Sequence, residues 1–144
     1  MANTYNTGRS PQLAVLKFCD LSAATALTSR APITGTTGLT ACVPTTTADT
    51  QIRKLAVKAI SSSGTAPTDA QLIGVWVSDG TTATLKKEIV VAAVTPSTTV
   101  ASFESEALYD DLMLPIGSSL WLSTTVTTTA STTALGVTAH GDSM

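Results

Sequence analysis

Charged side chains are scarce in this chain of 144 residues. They make up 12% of the sequence, about half of the roughly 25% that is usual in globular proteins. The formal net charge is −2, so the chain has no overall basic field to attract nucleic acid or anionic lipid. Since a free-standing cytosolic protein usually carries more surface charge, the shortage indicates a surface that is covered in an assembly. We expect no nucleic-acid partner and no membrane partner.

Histidine and cysteine are rarer still. His140 is the only histidine, and because metal sites and acid–base relays need partner residues, we interpret it as an ordinary residue near a strand end. Cys19 and Cys42 have no spacing typical of zinc or redox chemistry. We expect small buried side chains there. Whether the two cysteines form a disulfide is left open, because the sequence does not place their Cα atoms within bridging distance.

Long apolar runs and catalytic motifs are missing too. Without about 18 consecutive apolar residues or an apolar segment near the N-terminus, we expect no membrane anchor and no secretion signal. Residues 117–120 lack the second glycine of a nucleophile elbow, and no glycine-rich phosphate loop occurs. Glu104 and Glu106 share a strand face, as a glycosidase pair would, but a solvated face is the interpretation we favour. We expect no enzyme, cofactor, metal or small-molecule substrate.

Threonine, by contrast, is abundant, with 28 residues. Its branched Cβ suits a pleated strand better than a helix, and hydrophobic residues at 43% exclude simple disorder. The length fits one domain. Apolar alternation and turn residues predict strands at 13–19, 39–43, 52–60, 72–78, 84–94, 100–108, 112–114, 120–126 and 135–139, with turns at Asp79-Gly80 and Asp110-Asp111.

These eight to nine strands predict an all-β, single-domain antiparallel β-sandwich of jelly-roll type over residues 13–144. Residues 52–60 show the clearest alternation, and residues 72–78 are apolar on both faces, as a central strand would be. The state of residues 22–29 stays undecided. The candidate core residues are Leu55, Val57, Trp76, Phe103 and Leu122.

Residues 1–12 are polar, contain Gly8 and Pro11, and show no apolar period. We therefore predict an extended N-terminal arm that lies outside the core and orders on a neighbour. Its candidate partner-contacting residues are Asn3, Tyr5, Asn6 and Arg9.

The charges are unevenly distributed along the chain. Residues 1–87 contain all eight Lys and Arg against four acids, a net +4, whereas residues 88–144 contain six acids and no Lys or Arg, a net −6. Two interpretations are open: the halves meet across a subunit boundary, or their charges interleave on one sandwich. The basic residues Arg53, Lys54, Lys58, Lys86 and Lys87 fit surface charge or rim ion pairs.

Five segments carry a resemblance to a known class of proteins. They are Val75-Trp76-Val77-Ser78-Asp79-Gly80-Thr81-Thr82, Lys87-Glu88-Ile89-Val90-Val91, Val94-Thr95-Pro96-Ser97, Leu112-Met113-Leu114-Pro115-Ile116-Gly117 and Leu120-Trp121-Leu122-Ser123-Thr124. With this order of a DGT hairpin, EIxV strand, TPS turn, LPxG turn and LxxST strand, residues 52–141 resemble small virion proteins of tailed bacteriophages.

The resemblance implies a jelly-roll capsid decoration (cement) protein or related head component, commonly a homotrimer. It would be made in the bacterial cytoplasm, lie on the capsid exterior, bind the major capsid protein and stabilise the head. The alternative is a glycan- or receptor-binding module of a phage fibre or tail. Such a module needs exposed aromatic side chains for stacking, for which Trp121, Tyr109 and Tyr5 are the candidates.

Overall fold

The structure, a computed structural model, describes residues 13–62, 65–130 and 133–143. These residues contain nine strands and no helix. The strands are β1 Leu13–Leu21, β2 Ile33–Thr34, β3 Thr40–Val43, β4 Thr50–Ala59, β5 Gln71–Ser78, β6 Thr82–Val91, β7 Glu104–Leu114, β8 Ser119–Thr124 and β9 Leu135–Ser143.

The nine strands form two sheets. One has four strands in the order β1-β9-β4-β7, and the other has five in the order β2-β6-β5-β8-β3. All neighbouring strands run antiparallel. The predicted all-β fold with an antiparallel two-sheet sandwich is therefore confirmed, and so is the strand number of eight to nine.

Alternation explains why β4 divides its side chains between core and solvent. Leu55 and Val57 are fully buried between the sheets, whereas Lys58 on the opposite face is exposed. Because successive residues of a strand point to opposite faces, this single pattern fixes which face of the four-stranded sheet is inside.

The core lies between the sheets and is filled mainly by aliphatic side chains. Leu55, Val57 and Leu122 belong to it, and Phe103 packs partly buried against it. Trp76 is 1% exposed but lies outside this cluster. Its neighbours Val75 and Ile73 face the core, so Trp76 points to the outer side of the five-stranded sheet.

The turn predicted at Asp110-Asp111 is wrong. Both residues lie inside β7, which continues from Glu104 to Leu114. Lys54 pairs with Leu108 but Ile52 pairs with Leu112, so β7 carries extra residues that face no partner on β4. A bulge of this kind bends a strand without ending it. Two adjacent acidic residues that are typical of a turn can therefore lie inside β7.

A disulfide joins Cys19 in β1 to Cys42 in β3. The two Cα atoms are 4.8 Å apart, and both cysteines are buried. Since β1 and β3 belong to different sheets, the bond clamps the two layers together along one side of the sandwich. The question that the sequence left open is thus answered by the contact between β1 and β3, which are edge strands of opposite sheets.

The predicted hairpin turn at Asp79-Gly80 lies between β5 and β6. Gly80 has φ of 97°, a conformation that suits a residue without Cβ. The Asp79 carboxylate accepts hydrogen bonds from the backbone N–H groups of Thr82 at 2.8 Å and Thr81 at 2.9 Å. These bonds hold the pKa of Asp79 below its ordinary value, because they stabilise the charged form.

Candidate interaction surface

Trp76 is covered by the connection between β1 and β2. Its Nε1 donates a hydrogen bond to Ser123 Oγ at 2.8 Å, and a Cβ on Gly74 would stand 2.7 Å from that nitrogen. Leu27, whose N–H donates to the Thr124 carbonyl at 2.8 Å, lines the narrow crevice above the ring together with Arg30. Trp76 is therefore closed off from any ligand.

The other aromatic candidates are also partly enclosed. Trp121 pairs with Trp76 in the sheet register and donates from Nε1 to Ser119 Oγ at 2.8 Å. Tyr109 packs against the core with its hydroxyl buried and without a hydrogen-bond partner. Burial, followed by the charge of Asp111, raises the pKa of Tyr109. Neither side chain offers a free ring face like that of Phe18, which is 60% exposed.

Among the residues that the structure describes, five ion pairs connect the basic and acidic parts of the chain. Each joins a cation from residues 1–87 to an acid from residues 88–144, so the charges interleave on one sandwich. The pairs are Arg30–Glu88, Arg53–Asp142, Lys54–Glu106, Lys58–Glu104 and Lys87–Asp111.

Two of the ion pairs lower the pKa of their carboxylates. The hydrogen bond from Arg30 lowers the pKa of Glu88, and the hydrogen bond from Lys87, at 2.9 Å, lowers that of Asp111. Because at least one partner of every pair is exposed, each pair contributes little to stability. Their main effect is to neutralise charge on the surface.

The four-stranded sheet has two open edges among the described residues. β1 and β7 are its outermost strands, and each exposes large apolar side chains. Leu16 and Phe18 on β1 are 65% and 60% exposed, and Leu108 on β7 is 75% exposed. An open edge with exposed apolar side chains is a typical site for pairing with another chain.

The outer face of the same sheet contains a groove. Its floor is formed by small side chains, and Phe18 and Ile60 stand on one side, opposite Glu104 and Glu106. The space measures about 480 Å³, within the usual range for a ligand pocket. From β1 to β7, three rows of paired residues cross the face: Leu16, His140, Lys54 and Leu108; Phe18, Thr138, Ala56 and Glu106; and Asp20, Gly136, Lys58 and Glu104.

Phe18 is held over the floor of this groove by Gly136. A Cβ at Gly136 would stand 2.7 Å from Phe18 Cε2 and 2.8 Å from its Cζ, so the ring lies directly above the glycine. Phe18 is a surface residue that the sequence pattern did not predict. The signal was present, because residues 13–19 have apolar side chains on both faces of the strand. Only one face of an edge strand packs against the core, so the apolar side chains of the other face are exposed.

The residues singled out from the sequence do not converge on one site. His140 lies on the outer face between Leu16 and Lys54, and Glu104 and Glu106 line the groove. The arm candidates Asn3, Tyr5, Asn6 and Arg9 lie outside the described residues. Within 13–62, 65–130 and 133–143, no group of three His, Cys, Asp or Glu side chains is placed to hold a metal ion.

Comparison with known proteins finds no matching family model, no matching curated protein and no matching solved structure. No helix long and apolar enough to cross a membrane occurs in the part of the chain that the structure describes.

Proposed function

We propose that this chain is a structural virion protein of a tailed bacteriophage, a capsid decoration protein that binds the major capsid protein and stabilises the head. The observation that carries the proposal is the pair of open edges on the four-stranded sheet, with Leu16, Phe18 and Leu108 exposed beside them. Such edges suit attachment to other protein chains by strand pairing.

The charge pattern supports the same role. The five ion pairs are satisfied within the chain, so much of the remaining surface consists of threonine hydroxyls and apolar side chains. A surface of this kind loses little hydration of charged groups when another protein covers it. Many copies on a capsid lattice would then stabilise it by mass action.

We further infer that the sandwich is of the jelly-roll type. The antiparallel pairs β1–β9, β3–β8, β4–β7 and β5–β6 are the pairs of one long hairpin ribbon that is wound over into two sheets. The short β2 extends the second sheet at the side of β6. The proposed assembly is a homotrimer on the capsid exterior, made in the host cytoplasm.

Sedimentation with capsids tests the proposed function. Phage particles prepared without the chain are mixed with the purified full-length protein, or with protein lacking residues 1–12, and pelleted. We expect the full-length protein to saturate the capsid at a fixed number of copies. The shortened protein should bind more weakly while keeping its melting temperature, because the arm is predicted to lie outside the core.

Failure of the full-length protein to pellet with capsids would refute the decoration role. Equal occupancy by both proteins would show that the arm contributes nothing to attachment. Unfolding of the shortened protein would show that residues 1–12 belong to the core.

A further inference from the structure

The groove on the outer face of the four-stranded sheet has two chemically different walls. Phe18 presents a 60% exposed ring on one side, and Ile60 lines the groove beside it. Opposite stand Glu104 and Glu106, paired with Lys58 and Lys54. The groove thus offers an apolar ring face to one side of a ligand and several hydrogen-bonding groups to the other.

The floor allows a ligand to approach the sheet closely. Gly136, Ala56 and Thr138 are small and lie side by side on neighbouring strands, and the larger Lys58 on β4 rises beside Glu104, with which it pairs. The ring of Phe18 is already fixed in position over Gly136. Little conformational entropy is therefore lost when a ligand stacks on the ring.

Charge selects between classes of ligand. Lys58 Nζ lies 3.3 Å from Glu104 Oε2, and Lys54 Nζ, which does not line the groove, lies 3.4 Å from Glu106 Oε1, so each acid of this wall is paired with a cation. A strongly anionic or cationic ligand would gain no net attraction there. Carboxylates accept and ammonium groups donate hydrogen bonds, which is what the hydroxyl groups of an uncharged sugar require.

We propose that this groove binds a neutral oligosaccharide, one pyranose ring stacking its C–H face on Phe18 while its hydroxyl groups bond to Glu104, Glu106 and Lys58. The volume of about 480 Å³ suits a ligand of this kind. This binding activity goes beyond the decoration role: it would let a decorated particle adhere to a carbohydrate surface.

The test is an array of neutral and acidic oligosaccharides, followed by NMR titration of the purified protein with the best neutral binder. We expect binding to neutral members, with shifts at Phe18, Gly136 and Thr138. Phe18→Ala should weaken binding roughly tenfold or more, since the loss of an aromatic contact removes on the order of 1.4 kcal/mol. Phe18→Tyr keeps a ring and should bind normally.

Leu16→Ala is the matched control, because Leu16 lies on the same strand and face and is similarly exposed but does not line the groove. It should leave sugar binding unchanged. Melting curves establish whether each variant folds. If Phe18→Ala does not fold, the binding measured for Phe18→Tyr still tests the ring contact.

Absence of binding to every neutral sugar, or binding restricted to acidic sugars, would overturn the proposal. So would equal binding by Phe18→Ala and wild type. A change in oligomeric state of Phe18→Ala without a change in sugar binding would assign the groove to protein contact instead. Since these measurements use the free protein, their failure leaves the sedimentation result with capsids intact.

Discussion

At the scale of single residues, Trp76 shows how a side chain can be buried without belonging to the central core. It fills the space between the five-stranded sheet and the β1–β2 connection, above Gly74, and bonds to Ser123. The sequence pattern of residues 72–78, apolar on both faces, reflects burial of β5 from both sides. One side is covered by the opposite sheet and the other by a connecting segment.

Trp76→Ala is expected to destabilise the fold by about 3–5 kcal/mol, the usual cost of removing a large aromatic side chain from a buried position. Urea denaturation followed by far-UV circular dichroism measures the loss. Trp76→Phe retains a ring and should lose less. A Trp76→Ala protein as stable as wild type would mean that the covering segment closes over the gap or that the ring contributes little.

Three carboxylates make the free energy of unfolding depend on pH in the acidic range. Asp79, Glu88 and Asp111 all have a pKa below the ordinary value, through hydrogen bonds from Thr82 and Thr81, from Arg30 and from Lys87 respectively. A lowered pKa in the folded state contributes stability that is fully present above the unfolded pKa. It is lost as the pH falls through the lower, folded value.

We therefore expect the urea midpoint to be flat from pH 7 to 5 and to fall below about pH 4. Asp79→Asn should reduce this fall, because the neutral amide still accepts a hydrogen bond but cannot be protonated in this range. Asp69→Asn, at an exposed carboxylate outside these hydrogen bonds, serves as the control. An unchanged slope in Asp79→Asn would contradict the role given to the turn.

At the scale of elements, the disulfide between β1 and β3 encloses the segment that covers Trp76. The two cysteines are 23 residues apart. In the chain-entropy account, closing a loop of this length restricts the unfolded chain and stabilises the fold by about 3 kcal/mol. The bond therefore stabilises both the contact between the sheets and the cover over Trp76.

Replacing both cysteines (Cys19→Ala with Cys42→Ala) should lower the free energy of unfolding by about 3 kcal/mol. Dithiothreitol should lower the stability of wild type similarly and leave the double variant unchanged, as denaturation with and without the reductant will show. Wild type that is equally stable under both conditions would contradict a stabilising disulfide.

Local patterns predicted most strands because alternation and turn residues act over a few positions. Ile52 to Ile60 and the Asp79-Gly80 hairpin are examples, and both are confirmed. The failures needed information from distant partners. The bulge that keeps Asp110 and Asp111 inside β7 is visible only from the register with β4. The groove forms because strand pairing places Phe18 and Glu106 on one row of the sheet, although the two residues are far apart in sequence.

At the scale of the whole molecule, the edges of the four-stranded sheet bear on assembly. β1 at one edge and β7 at the other are different surfaces, so joining one to the other of a neighbouring copy gives a head-to-tail contact. Such contacts close into rings when the rotation allows it. Combined with the homotrimer that the resemblance to phage virion proteins implies, a head-to-tail contact would give the cyclic homotrimer that we propose.

Light scattering on the purified protein should give about three times the chain mass of 14.7 kDa. Leu108→Lys on β7 should shift the mass toward the monomer, because it places a charge in the proposed contact. Val90→Lys is the control: Val90 is 71% exposed but lies on β6 of the other sheet. A stable wild-type monomer at micromolar concentration, with no trimer in the particle, would refute the assembly.

The pairing of β1 with β9 has a consequence for biosynthesis. Leu13 lies opposite Ser143, and in each of the five ion pairs the acid follows its cation in the sequence. During synthesis β1 emerges from the ribosome long before β9, the strand with which it pairs. Contacts between distant positions also form slowly. The four-stranded sheet can therefore be completed only after β9 has been synthesised, and until then the apolar β1 lacks its partner strand.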